Sequence, residues 1–362
     1  MKVDIDIPKN SRIVKKYPKV LNDLRMKIRS GYFTGMLPGV QKLASDFDVN
    51  FMTVNKAINM LVDENLLYRI PNKGTFVRKT YRVALAFLCS KECRNQRRQT
   101  VYDDLIHGVE DALNKKDMTM IFKNIDPESE LLSFKNIKND SDGLILLGDI
   151  DNLVKSKTIF DVPVVRVMGT IEEQDTLDHV TFNNYSIGQL AAKHMLSKGH
   201  MNCAFICSSP RLLLLERGRA FCETFTKAGG QVRTFISDKL DKEKGITDIK
   251  MELSRNFNES PVPTGIFIPA AWMMGDVYSL FKDMGIIHGK DIEIVTCDKE
   301  IMELSKLTPM PDYVDIHADI IGRKAVEILL KRIESPDCPQ EKVLLEPDLI
   351  GNATNVNFSK TA

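Results

Sequence analysis

At 362 residues the chain is long enough for two or more domains, and an apolar fraction of 43% suits a sizeable buried core. No stretch approaches the roughly 18 uninterrupted apolar residues of a membrane span, MKVDIDIPKN at the start lacks the apolar centre of a secretory signal, and an odd seven cysteines argue against a disulfide framework, so a cytoplasmic location is expected. The net charge of +1 hides an asymmetry: residues 1–80 hold 15 Lys and Arg against 7 Asp and Glu and the remainder 35 against 42, which points to a polyanion as partner of the first quarter.

Val20, Leu21, Leu24 and Ile28 recur at helical spacing and stop at Ser30-Gly31. A second short helix carries Val40, Leu43, Ala44 and Phe47 after Pro38, and a third carries Val54, Ala57, Ile58, Leu61 and Val62 behind Asn50, a good N-cap. Only Asp48 to Asn50 separate the last two, the connection of a helix-turn-helix, which crosses its helices steeply. Leu66–Ile70 and Thr75–Arg78 read as strands joined by the turn Pro71-Asn72-Lys73-Gly74, a hairpin with a basic tip.

Ile28…Gly31, Leu37-Pro38, Leu43-Ala44, Val49, Thr53-Val54, Ala57, Leu61 and Lys73-Gly74-Thr75-Phe76-Val77 resemble, in order and nearly in spacing over residues 17–79, the winged helix-turn-helix of GntR-type transcriptional regulators. The resemblance implies double-stranded operator DNA as partner, met by Gln41, Asn50, Phe51, Thr53, Asn55, Lys56, Asn72, Lys73 and Gly74. Such regulators usually carry arginines where this chain has Gln41, Phe51 and Asn55, and a glycine where it has Asn72. Arginine is the commonest reader of guanine, whereas Asn and Gln suit the N6/N7 edge of adenine and an apolar group meets the thymine methyl. An operator richer in A·T at the contacted positions is therefore expected, with Gln41 and Asn55 reading bases and Thr53, Lys56 and Lys73 holding phosphates. Phe51 has two readings that stay open: contact with DNA, or packing on the hairpin.

From Tyr81 onward short apolar strands alternate with amphipathic helices. The strands are expected at Val83–Leu88, Met118–Phe122, Gly143–Leu147, Val162–Val167, Cys203–Cys207, Val232–Ile236, Gly265–Ile268 and Ile292–Thr296. Tyr102–Lys115, Ile187–Lys198 and Trp272–Met284 are among the intervening helices. This is the pattern of α/β layering on parallel sheets, closed as one barrel or as two doubly wound lobes.

Asp142-Gly143-Leu144-Ile145-Leu146, Val162-Pro163-Val164-Val165, Asn183-Asn184…Gly188…Ala191…Gly199-His200, Arg217…Ala220-Phe221, Pro263-Thr264-Gly265-Ile266-Phe267, the strand ending in Asp298, and Leu307-Thr308 with Gly322…Ala325…Leu329-Leu330 resemble the effector domain of LacI/GalR-type repressors. The resemblance runs from about residue 81 to 350. It implies an α/β chain: a small winged helix-turn-helix domain over 1–79, then two Rossmann-like lobes of a periplasmic-binding-protein-like domain over 81–362. Lobe 1 is expected at about 81–183 and 312–336 and lobe 2 at about 184–308 and 340–358. The chain would cross between them near Asn183, Thr308–Asp312 and Gln340.

The resemblance also implies a small-molecule effector, a sugar or sugar derivative, held in the inter-lobe cleft by Tyr102, Arg217 and Asp298. Where such domains usually have Asn-Asp, this chain has Ala270-Ala271 followed by its only tryptophan, Trp272. That loss removes hydrogen-bonding partners for a sugar; Trp272 offers either a flat stacking face or packing at a helix start. The loop Arg94-Asn95-Gln96-Arg97-Arg98 hints at an anionic ligand. No nucleotide-loop, metalloprotease or nucleophile-elbow motif is present, so a non-enzyme without cofactor or metal is expected. The sequence reading is a homodimeric repressor on a palindromic operator, with a body that senses a ligand or, alternatively, serves only for dimerisation.

Overall fold

The computed structural model describes residues 16–64, 66–79, 81–88, 100–125, 140–148, 160–171 and 175–351. The chain divides into two compact units between Tyr81 and Arg82, with Lys116–Met118 grouped with the first, so Tyr81 falls with the first rather than the second. The predicted loop Arg94–Arg98 lies outside the described residues.

In the first unit helices α1 (Lys16–Arg29), α2 (Val40–Asp46) and α3 (Phe51–Asp63) precede the hairpin β1 (Leu67–Ile70) and β2 (Gly74–Val77). Leu24, Leu43, Ile58 and Leu61 are fully buried in one shared core, each worth about 1.5–3 kcal/mol against exposure. Asp48 takes a left-handed φ of 50° in the turn between α2 and α3, and the Asn50 side chain then caps α3 by accepting from the Met52 N–H at 2.8 Å. Arg25 donates to both carboxylate oxygens of Glu64 at 2.6 and 2.9 Å, which ties α1 to the end of α3. The hairpin pairs Leu67 with Val77 and Ile70 with Gly74, turning through Asn72 at φ 62°.

The second unit holds two six-stranded sheets. The first contains β3 (Arg82–Leu88), β4 (Thr119–Ile125), β5 (Gly143–Gly148), β6 (Val164–Val167), β7 (Asp178–Phe182) and β13 (Lys342–Leu345), in the order β13-β7-β6-β5-β3-β4, all parallel. The second contains β8 (Asn202–Cys207), β9 (Gln231–Ile236), β10 (Gly265–Ile268), β11 (Glu293–Cys297), β12 (Asp312–Asp315) and β14 (Asp348–Ile350), in the order β14-β12-β11-β10-β8-β9, with only β14 antiparallel. Near-continuous burial along β6, β7, β10 and β11 is what a parallel sheet covered on both faces requires.

The pairing corrects the expected lobe boundaries in two places. Residues 312–315 were assigned to the first lobe, yet β12 runs parallel to β11 in the second sheet. Residues 342–345 were assigned to the second lobe, yet β13 pairs with β7 in the first. The chain still passes three times between lobes, at Asn183, between β12 and the helix Ala318–Glu334, and at Glu346–Pro347. The cause is that both strands are only four residues long, so hydrogen-bond partners and not sequence pattern settle which sheet they join.

Two glycine-mediated contacts fix how helices lie. A Cβ on Gly108, in α4 (Thr100–Asn114), would sit 2.1 Å from the Asp319 carbonyl oxygen, so α4 and the helix Ala318–Glu334 touch backbone to backbone. In the second lobe α5 (Asn184–Ser197) meets α6 (Leu212–Lys227) the same way: a Cβ on Gly188 would lie 2.1 Å from the Arg217 carbonyl oxygen.

Candidate functional site

On the first unit, the side chains the sequence singled out gather on α2, the start of α3 and the hairpin tip. Gln41, Lys56, Asn72, Lys73 and Gly74 are exposed, Thr53 and Asn55 are half-buried, and Phe51 is 54% exposed. Asn50 spends its carboxamide oxygen on the helix cap. Lys56 Nζ lies 5.0 Å from the centre of the Tyr17 ring, a contact that holds its charge near the helix face. Sequence reasoning left out Asn59, whose Oδ1 accepts from Arg69 Nη2 at 2.7 Å and braces the hairpin against α3. It also left out Met52, 67% exposed beside Phe51.

In the second unit a cavity of about 350 Å³ opens between the lobes. Its lining comes almost wholly from segments at or just after the carboxyl ends of strands, the place where open α/β sheets hold ligands. Tyr102, Arg217, Trp272 and Asp298 all line it.

Arg217 is 1% exposed and fixed on several sides. Its Nε donates to Asn184 Oδ1 at 2.9 Å, its Nη1 to the Pro269 carbonyl at 2.5 Å and to Asp298 Oδ1 at 3.3 Å, and its guanidinium lies 5.0 Å from the centre of the Phe182 ring. Burial works against this charge, yet the carboxylate of Asp298 helps hold its pKa above the ordinary arginine value. Asp298 itself takes a φ of 78°, strained for a residue with a Cβ. Its neighbour Cys297 is fully buried, and burial pushes that thiol well up, so it stays neutral.

Trp272 sits in the short 3-10 helix Ala271–Met273, with Lys242 Nζ 4.6 Å from its ring centre, while Ala270 and Ala271 are buried. Tyr102 packs edge-on against Phe87 at 5.3 Å. The lining residue that sequence reasoning missed is Arg166, in the middle of β6, whose Nη1 lies 2.7 Å from Asp175 Oδ2. Its signal was legible: one arginine inside the apolar run Val164-Val165-Arg166-Val167.

A second polar cluster lies at the amino ends of the strands in the second lobe. His194, Glu293 and Asp312 are spaced closely enough to hold a metal ion. Lys198 already places its ammonium 2.6 Å from Glu293 and 2.9 Å from Asp312, where such a cation would sit. Both carboxylates and the lysine are therefore paired, and the cluster ties the end of α5 to β11 and β12.

Comparison with known proteins agrees with this division. Residues 16–77 match the family described as bacterial regulatory proteins, gntR family, and residues 192–354 match the periplasmic binding protein-like domain. The first match falls on the winged helix-turn-helix of the first unit and the second within the two-sheet α/β body. Over 274 residues it is 24% identical to the HTH-type transcriptional repressor PurR of Aliivibrio fischeri (strain MJ11), covering 72% of this chain and 78% of that one. Its first domain is 37% identical over 65 residues to the HTH-type transcriptional repressor NagR of Bacillus subtilis (strain 168), covering 17% of this chain and 27% of that one. A LacI family transcriptional regulator from Enterococcus faecium, solved with bound ribose, shares the fold with a TM-score of 0.60 at 18% identity, covering 74% of this chain and 97% of that chain. Among the described residues no helix is long and apolar enough to cross a membrane.

Proposed function

We propose that the protein is a ligand-responsive transcriptional repressor that binds a two-fold-symmetric operator as a homodimer and senses a small molecule, a sugar or sugar derivative, between its lobes. The observation that carries the reading is the cavity of about 350 Å³ with Arg217 and Asp298 on one lobe and Tyr102 and Arg166 on the other, in a chain that also bears a winged helix-turn-helix. A rigid guanidinium paired with a carboxylate presents donors and an acceptor in fixed geometry, suited to selecting one ligand over its relatives. The repressor names of the relatives in both domains support the direction of control, and ribose in the Enterococcus structure supports the ligand class.

In this reading Gln41 and Asn55 read base edges in the major groove, Phe51 meets a thymine methyl, and Thr53, Lys56 and Lys73 hold phosphates. Ligand bridging the two lobes favours one arrangement of the body and so resets the spacing of the paired DNA-binding domains. The test is operator selection from random DNA, followed by anisotropy titration of the selected duplex with and without ligand. A selected palindrome whose affinity shifts with ligand is expected. A body that serves only to dimerise would leave the affinity unchanged.

A further inference from the structure

The chain crosses between the lobes three times, and side chains tie the crossings to one another. The first crossing follows β7 and the third follows β13. These strands run parallel as neighbours in the first sheet, and the Asn183 N–H donates to the Leu345 carbonyl at 3.0 Å. Where both leave that sheet, Asn183 Nδ2 donates to Glu346 Oε1 at 2.9 Å. Two residues further along the third crossing, Asp348 Oδ2 lies 2.9 Å from Nε2 of His317, which stands on the second. The third crossing is thus clasped to the first on one side of the buried Pro347 and to the second on the other.

Both clasps adjoin the cleft. Phe182, which precedes Asn183, and Ile316, which precedes His317, line the cavity. On the first crossing three consecutive residues divide the work. The Phe182 ring centre lies 5.0 Å from the Arg217 guanidinium, and Asn184 Oδ1 accepts from Arg217 Nε at 2.9 Å. Asn183, between them, spans the clasp and caps α5 by accepting from the Ser186 N–H at 3.1 Å. Arg217 therefore takes two of its contacts from the crossing itself, one on each side of the clasp residue. Its Nη1 donates to the Pro269 carbonyl, and Pro269 leads through Ala270 and Ala271 to Trp272. A turn of the chain at Asn183 would carry Arg217 with it, and through Pro269 the segment that holds the indole.

The strength of the clasps suits a joint that opens and closes. The Asn183–Glu346 bond is exposed and the Asp348 side chain is 73% accessible, so water competes for both pairs and neither is strong. They can part and re-form while the apolar core of each lobe stays intact. Hinges absorb their changes of backbone angle at a few residues that end or begin elements. Asn183 stands just before α5, Asp348 opens β14, and His317 takes a left-handed φ of 55° just before the helix Ala318–Glu334.

We infer that Asn183–Glu346 and His317–Asp348 are hinge clasps that hold the lobes in one arrangement and, through Phe182 and Asn184, set the position of Arg217 in the cleft. The four residues are positioning residues: they act through Arg217 and the hinge, not by touching the ligand. The inference deepens the ligand-sensing reading and rests on it for what the cleft is used for. A ligand that draws the lobes together turns the chain at these crossings, and the clasps decide which arrangement it starts from.

Trp272 is the only tryptophan in the chain and lines the cavity, so acrylamide quenching of its emission reports the state of the cleft in unliganded full-length protein. Glu346 is charged near pH 7, since hydrogen bonds from Ser186 and Asn183 hold its carboxyl below the usual range. Asn183→Asp keeps the helix cap but sets a second carboxylate against it. This variant is expected to raise the quenching constant by about twofold with an unchanged circular dichroism spectrum. Adding Glu346→Gln supplies a donor from the opposite side, and the double variant is expected to return to the parent value. Should Asn183→Asp not fold, Glu346→Ala combined with Asp348→Ala opens both clasps at exposed positions and is expected to raise quenching in the same way. Quenching that matches the parent in the variants with opened clasps overturns the inference, and so does a double variant no nearer the parent than Asn183→Asp alone. No ligand enters the measurement, so its failure leaves ligand sensing standing, and an operator titration indifferent to ligand would leave the clasps standing.

Discussion

Arg217 Nη1 and Asp298 Oδ1 meet at 3.3 Å in the wall of the inter-lobe cleft, and both side chains are largely buried. Arg217 is held from behind by Asn184 and Pro269, and Asp298 is held by the strained backbone that ends β11. The pair is thus a preorganised element of the site: ligand meets charges already in place and does not have to order them.

Substituting Arg217 separates structure from sensing. Arg217→Ala leaves the Asp298 carboxylate buried without its partner, and a stability loss of roughly 3–5 kcal/mol is expected by thermal melting. Arg217→Lys keeps the charge but not the fork; it is expected to retain most of the stability and still lose ligand-induced change in operator affinity. A lysine variant that responds to ligand like the parent would remove Arg217 from the sensing role.

Gly188 sets the position of Arg217 from a distance. Its missing Cβ allows the Arg217 carbonyl to pack against α5, and Gly188→Ala is expected to cost about 3 kcal/mol, because backbone and not a flexible side chain must yield. Gly275→Ala, at a helical position with no atom within 4 Å of the added Cβ, is the control and is expected to change stability by no more than about 0.5 kcal/mol. Urea melts of both variants decide the matter, and equal midpoints would contradict the packing account.

Glu300 gives the stability a pH signature. Its Oε1 is buried with no hydrogen-bond partner, and burial lifts its carboxyl from an ordinary 4.5 to about 8. Between those values the native state binds more protons than the unfolded state, so this group's contribution is full below pH 4.5 and is lost as pH rises through 8. Glu300→Gln is expected to flatten that fall and to gain on the order of 2 kcal/mol over the parent near pH 9. Parallel pH dependence of Tm in variant and parent would sink the assignment.

On the DNA side, Asn55→Ala is expected to weaken binding to the selected operator by about 1–3 kcal/mol and to relax the preference at one position, as loss of a base contact does. Lys73→Ala is expected to weaken all sequences alike and to lower the salt slope by about one. A selected consensus dominated by G·C pairs at the contacted positions would contradict the reading of Gln41, Phe51 and Asn55.

Much of this fold is written locally. The helical stripes of α1 to α3, the Asn50 cap and the turn at Pro71–Gly74 are choices made within a few residues of each other, and the structure places them there. The strands of the body are apolar runs bounded by polar turns, and β10 coincides with its predicted span. What stayed hidden depends on contacts far apart in the chain. Residues 342–345 join the first sheet through β7, more than a hundred residues away, and residues 312–315 join the second by running parallel to β11. Phe51 had two open readings because exposure on a helix face is decided by what packs nearby. Arg166 carried a sequence signal, a charge inside an apolar strand, but its place in the cleft follows only once β6 is aligned with β7 and the loop holding Asp175. Arg217 and Asp298 were each expected in the cleft only through resemblance, and their pairing across 81 residues was not read from the sequence.

The central claim is that occupation of the cleft changes the grip on DNA. The direct measurement is fluorescence anisotropy of the selected operator titrated with full-length protein, in the absence of ligand and at a ligand concentration that saturates the Trp272 signal. A shift in operator Kd of at least about fivefold, equivalent to a coupling of about 1 kcal/mol, is predicted. Saturation of Trp272 with superimposable operator titrations would contradict the account.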